Sequence, residues 1–108
     1  MEIQARQVVM DDWIMPSVSP RHFEVRMVGG NSFDPQSIEI HAGDTITWIN
    51  NDENSVHTAT SNDGTTFDTK NVASLAYSKR IKFTTAGTID YHCEIHKIMM
   101  TGKVVVMP

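Results

Sequence analysis

From His22 onward the side chains alternate between apolar and polar with a period of two, and glycine, asparagine, aspartate or proline interrupts the pattern every few residues. A period of two sends successive side chains to opposite faces of an extended chain, so each such run is a strand with one face to bury. Phe23, Val25 and Met27 alternate with His22, Glu24 and Arg26 until Gly29-Gly30-Asn31 breaks the run. Ile38 and Ile40 alternate with Ser37, Glu39 and His41. Ala42-Gly43-Asp44 then turns the chain into Thr45-Ile46-Thr47-Trp48-Ile49-Asn50, whose β-branched and aromatic residues favour a pleated, half-buried surface. A short strand is expected over 56–60, followed by a long aperiodic connection to about residue 76. Ile81 and Phe83 then oppose Arg80 and Lys82, a strand runs from Thr88 to Cys93, and another over 102–107 closes the chain. About seven short strands without a helix in the body predict an all-β fold, a Greek-key antiparallel β-sandwich or barrel. Its expected core is Ile38, Ile40, Ile46, Trp48, Ile81, Phe83, Ile89, Tyr91, Val104 and Val106.

Residues 1–20 stand apart from this pattern. The stretch 4–15 suits a short amphipathic helix or an irregular arm, and Pro16 and Pro20 punctuate the residues after it. The expected organisation is therefore an N-terminal extension over 1–20 and one domain over 21–108, and a chain of 108 residues suffices for a core without staples. The 13 acidic and 9 basic side chains leave a net charge of −4, and no basic block exceeds Lys79-Arg80, which speaks against nucleic acid as a partner. No apolar run approaches the ~20 residues of a membrane span. The first residues lack the basic-then-apolar pattern of a signal peptide, so either the protein stays inside or an export signal is missing here.

The single cysteine cannot form an internal disulfide, which leaves Cys93 as a packed thiol, an intermolecular link or a ligand. It lies in Tyr91-His92-Cys93-Glu94-Ile95-His96-Lys97-Ile98-Met99-Met100. Ile89, Tyr91 and Cys93 share one face of the preceding strand and Thr88, Asp90 and His92 the other, so Cys93 arrives with the core-facing set. His96 and Met100 come next within the same turn between strands. A thiolate, an imidazole and a thioether suit copper cycling between Cu(I) and Cu(II), provided a second imidazole completes a trigonal plane. His22 and His41 fall on polar faces and His92 points away from Cys93, so His57 remains by exclusion, although the pattern leaves the face of 56–60 open. Zinc is the rival ion, but structural zinc sites pair close-spaced ligands at both ends, and His57 stands alone. Asp52, Glu53 and Asp63 read as ordinary solvated loop charge. No Ser/His/Asp order, phosphate-binding glycine loop or paired catalytic carboxylate occurs, so any enzymatic activity would be copper chemistry.

Phe33-Asp34-Pro35, the run from Ile38 to Asn50, His57, the run from Phe83 to Cys93 and finally Gly102-Lys103-Val104-Val105-Val106 closely resemble, in that order, the plastocyanin-like cupredoxins. The resemblance spans about residues 22–107, and the Tyr91-His92-Cys93 lead-in looks most like amicyanin and related small blue copper proteins. It implies a cupredoxin fold and one copper per chain, with His57, Cys93 and His96 as equatorial ligands and Met100 as the axial one. It also implies one-electron transfer between redox partner proteins and an exported, periplasmic or cell-surface location whose signal is not in this sequence.

The ligand loop departs from the family pattern. Three residues separate His96 from Met100 and two separate it from Met99, and no proline accompanies His96. The axial position is thereby left among Met100, Met99, water and none. An open copper would accept a small molecule such as a nitrogen oxide, which defines the alternative, a copper-dependent redox enzyme. The favoured expectation is the carrier, with His96 offering its ring edge near the surface and Ile95, Ile98 and Met99 forming a small docking patch of the kind transient redox partners use. Backbone amides near Thr58 and Asn50 are the candidates to donate to the sulfur and tune it.

Overall fold

The computed structural model describes residues 19–108, so the expected N-terminal extension and its 4–15 segment fall almost wholly outside the described residues. No helix occurs among the described residues. The strands are β1 (His22–Val28), β2 (Ser32–Asp34), β3 (Ser37–His41), β4 (Thr45–Asn50), β5 (Thr60–Ser61), β6 (Ile81–Lys82), β7 (Gly87–His92) and β8 (Thr101–Met107). They form two four-stranded sheets, with orders β2-β1-β4-β6 and β3-β8-β7-β5.

This is the expected all-β sandwich, and its pairings add a feature that alternation does not carry. β1 runs parallel to β4, with Phe23 beside Ile46 and Val25 beside Trp48, and β3 runs parallel to β8, with Ile38 beside Val104. The other pairings are antiparallel. After the β1–β2 hairpin the chain crosses to the second sheet for β3 and returns for β4, which brings β4 alongside β1 in the same direction. A strand of period two buries the same side chains whichever way its neighbour runs.

Val25, Met27, Ile46 and Trp48 from one sheet meet Ile40, Tyr91, Val104 and Val106 from the other, all essentially without exposure. Of the expected core, Ile38, Ile81 and Ile89 are only partly buried and pack against the margin of this cluster. Its middle is aromatic: Trp48 stacks on Phe67 at 5.2 Å, while Tyr91 meets Trp48 edge-on at 5.5 Å and Phe33 at 4.6 Å. The Trp48 Nε1–H donates to the Tyr91 hydroxyl at 3.2 Å, so the buried indole and phenol satisfy one another.

Phe67 and Val72 come from the connection that the sequence shows as aperiodic. Most of that connection is exposed, but it can turn these two side chains inward because the backbone beside them is paired: Val72 N–H donates to His57 O at 2.7 Å, His57 N–H to Val72 O at 3.2 Å, and Thr69 N–H to Ala59 O at 3.0 Å. The strand expected over 56–60 is correspondingly shorter. Only Thr60–Ser61 pair with β7, and His57 makes a single bridge to Val72.

The β3–β4 turn shows why its residues are needed. Gly43 has φ +101°, in the left-handed region that costs other residues strain. Asp44 closes the turn, its Oδ1 accepting Arg21 N–H and its Oδ2 accepting His41 N–H, each at 2.8 Å. The amide of Arg21 first, and that of His41 after it, hold the Asp44 carboxyl below the usual carboxylate range against the opposing effect of burial.

Candidate metal centre

Cys93 is the first residue after β7 and Met100 the last before β8, so the loop 93–100 joins two paired neighbours. Cys93 N–H donates to Met100 O at 3.0 Å and closes the base of this loop. Met99 and Met100 both donate their N–H to His96 O, at 3.1 and 3.0 Å, which coils the loop and returns the His96 ring towards Cys93. His57 reaches the same place from the far side of the fold. Thr58 N–H points at the Cys93 sulfur at 3.4 Å, and Glu94 N–H donates to Thr58 Oγ1 at 2.9 Å, so two segments 36 residues apart are tied together beside the thiol.

The structure thus brings together His57, Cys93 and His96, with their potential ligand atoms all within 4.8 Å of one another. The Cys93 Sγ lies 3.8 Å from His57 Nδ1 and 3.7 Å from His96 Nδ1, and the two imidazole centroids are 5.1 Å apart. Metal–sulfur and metal–nitrogen bonds of about 2.3 and 2.0 Å separate S from N by about 3.7 Å at a trigonal angle and about 3.5 Å at a tetrahedral one. The observed spacings are close enough for one ion to be held by the sulfur and both nitrogens, and a soft sulfur with two imidazoles is a donor set that suits copper. His57 and Cys93 are fully buried, whereas His96 is partly exposed.

Met100 and Met99 are told apart by burial: Met100 is inaccessible and packs in the core, while Met99 is 70% exposed. The other histidines lie elsewhere. His22 is exposed and bonded to Thr45 Oγ1 at 2.7 Å, and His41 is exposed on the far side of β3. His92 faces away from Cys93, between Asn62 Oδ1 at 2.6 Å and Glu94 Oε2 at 2.5 Å. Of the two amides expected near the sulfur, Thr58 donates to it, but Asn50 N–H goes to Ala76 O at 2.9 Å. The buried Asn50 side chain instead donates to Ser55 O at 2.8 Å and Val72 O at 3.0 Å, bracing the loop that carries His57.

Glu53 and Asp63 are exposed, as solvated charge would be, whereas that reading needs correction for Asp52. Asp63 staples its own turn, accepting from Ser61 Oγ and from the amides of Thr65 and Thr66, and bonds with the Thr66 hydroxyl foremost hold its carboxyl far below the usual range. Asp52 lies against the candidate centre, its Oδ2 3.0 Å from His57 Nε2. The Asn54 amide first, and the His57 ring next, keep the Asp52 carboxyl below its ordinary value. Asn50-Asn51-Asp52 reads as a generic polar turn, with no periodic signal to indicate which way Asp52 would face.

Comparison with known proteins agrees with this geometry. The family described as copper binding proteins, plastocyanin/azurin family, matches residues 22–107. Plastocyanin of Scenedesmus fuscus is 37% identical over 79 residues, covering 64% of this chain and 79% of that protein. Amicyanin of Paracoccus denitrificans is 34% identical over 76 residues, covering 68% of this chain and 57% of that protein. A solved Cu(I) structure of a single-site amicyanin mutant superimposes with a TM-score of 0.68 at 27% identity, over 78% of this chain and 80% of that one.

Proposed function

The chain belongs to the plastocyanin/azurin family of copper-binding proteins, and from that premise we infer that it is a mononuclear type 1 copper protein carrying single electrons between redox partners. The observation that carries this reading is the convergence of a buried thiol, a buried imidazole and a partly exposed one, assembled from segments that the fold ties together. Bound copper supplies a one-electron couple between Cu(I) and Cu(II). The rest of the chemistry belongs to the chain.

We assign His57, Cys93 and His96 as the residues that would hold the ion, with Met100 as the further, weaker sulfur donor, because Met100 is the buried methionine of the loop. Thr58 N–H donates to the sulfur and so lowers the electron density that the thiolate offers the ion. The loop bonds from Cys93 to Met100 and from Glu94 to Thr58 hold the donors in one arrangement, so a change of oxidation state requires little movement. His96 provides the route outward. Around it Ile95 is 50%, Ile98 94% and Met99 70% exposed, an apolar rim suited to brief, low-area contact with a redox partner. In keeping with the family resemblance, we propose an exported working location.

Titration of the metal-free protein with Cu(II) tests this assignment. One equivalent should produce an intense visible thiolate charge-transfer band that ascorbate bleaches and an oxidant restores, and Cys93→Ala should abolish the band while leaving a folded chain. A band that survives in Cys93→Ala, or no band in the parent, overturns the assignment. Azide addition addresses the small-molecule alternative: an unperturbed band is the expected result, and saturable binding followed by turnover would replace the carrier with an enzyme.

A further inference from the structure

Asp52 is a charged group beside the centre to which the copper reading gives no role. His57 is fully buried, and both ring nitrogens have partners: Nδ1 faces the Cys93 sulfur at 3.8 Å and Nε2 faces Asp52 Oδ2 at 3.0 Å. The carboxylate is held for this contact by bonds on the rest of its residue. Asp52 Oδ1 accepts Asn54 N–H at 3.0 Å, its own N–H donates to Asn50 Oδ1 at 2.9 Å, and its carbonyl accepts Ser74 Oγ–H at 2.7 Å. With a side chain only 14% exposed, it is poorly screened by solvent.

A carboxylate opposite one ring nitrogen of a ligating histidine accepts its N–H, fixes the tautomer that presents the other nitrogen to the ion, and raises the basicity of the ligand. A fixed negative charge close to a metal ion also favours the more highly charged ion. We propose that Asp52 is a positioning residue that sets the reduction potential: it accepts the His57 Nε2–H, keeps Nδ1 free and aimed at the centre, and biases bound copper towards Cu(II).

The competing explanation is that Asp52 only shapes the loop, through the turn it forms with Asn54. Asparagine separates the two roles. Its single carbonyl oxygen can still accept Asn54 N–H, but it then offers an NH2 donor, without charge, towards the His57 Nε2–H.

The proposal rests on the copper reading, so its test has one arm that needs copper and one that does not. Copper-loaded Asp52→Asn, Asp52→Ala and Asp52→Glu are titrated against a redox mediator at one pH above the carboxylate range, with the thiolate band as the readout. At a fixed ambient potential the Cu(I) to Cu(II) ratio should rise at least about tenfold in the Asn and Ala variants, equivalent to about 59 mV for one electron. Asp52→Glu should recover most of the parental ratio. If the Asn and Ala variants keep the parental ratio, Asp52 shapes the loop and nothing more; if Ala fails to fold, the Asn variant alone decides. In the metal-free protein, nitrogen-15 NMR of the imidazoles above their titration range should show His57 protonated at Nε2, with that preference lost in Asp52→Asn. A parental His57 protonated at Nδ1 overturns the proposal. Absence of a thiolate band in the parent would instead count against the copper reading, leaving the tautomer result to judge Asp52 separately.

Discussion

Gly102 faces Tyr91 across the β7–β8 ladder, and a β-carbon placed there would lie 2.4 Å from Cζ, 2.6 Å from Oη and 2.7 Å from Cε2 of that ring. Carbon atoms pack at about 3.5 Å or more, so Gly102→Ala requires the ring to withdraw by about 1 Å. Three other aromatic rings crowd Tyr91. It is fully buried, 4.6 Å from the Phe33 ring, 5.5 Å from Trp48 and 5.6 Å from Phe67, and its hydroxyl is held by Trp48 Nε1–H. Withdrawal therefore loses a buried hydrogen bond, about 1 kcal/mol, and overpacks the aromatic cluster, about 1–3 kcal/mol. The combined destabilisation is expected to be about 2–4 kcal/mol, which lowers the melting temperature of a domain this size by at least about 8 °C. Thermal and denaturant unfolding of the metal-free protein, followed by near-ultraviolet circular dichroism, reads the effect without a contribution from copper binding. An alanine variant within about 0.5 kcal/mol of the parent would refute the claim that the phenol ring lies against the Gly102 backbone.

The two methionines of the loop should behave oppositely. Met100→Ala removes a fully buried side chain and should cost about 2–5 kcal/mol while shifting the spectrum and potential of bound copper. Met99→Ala, at a 70% exposed position, should change stability by less than about 0.5 kcal/mol and leave the spectrum unaltered, and the reverse pattern would move the weaker sulfur donor to Met99. Acid stability tests the β3–β4 staple. Because the Arg21 and His41 amides lower the Asp44 pKa on folding, its contribution is complete above the unfolded value of about 4 and is lost as pH falls through the lower folded one. Denaturant midpoints across that range should fall less steeply with acidification in Asp44→Asn than in the parent, and identical slopes would show that Asp44 contributes no linkage.

The local pattern of the sequence carries the strands and half of the centre. The alternations of Ile38 with Ile40 and of Ile46 with Trp48 record which faces are buried, because the side-chain period of a strand is a local property. For the same reason Cys93, His96 and Met100, spaced along one turn between two strands, could be recognised as a soft donor set. His57 could be reached only by excluding other histidines and by family resemblance, since nothing near it in the sequence states that it meets a thiol 36 residues away. Tertiary structure decided the remainder: β1 beside β4 in parallel, Phe67 and Val72 inside the core despite their aperiodic connection, Met100 inside and Met99 outside, and Asp52 turned onto His57. Each of these depends on which distant segment covers a residue or accepts its hydrogen bond. Periodicity records that a face is buried, whereas the identity of the covering partner is set only when the two sheets and their loops close on one another.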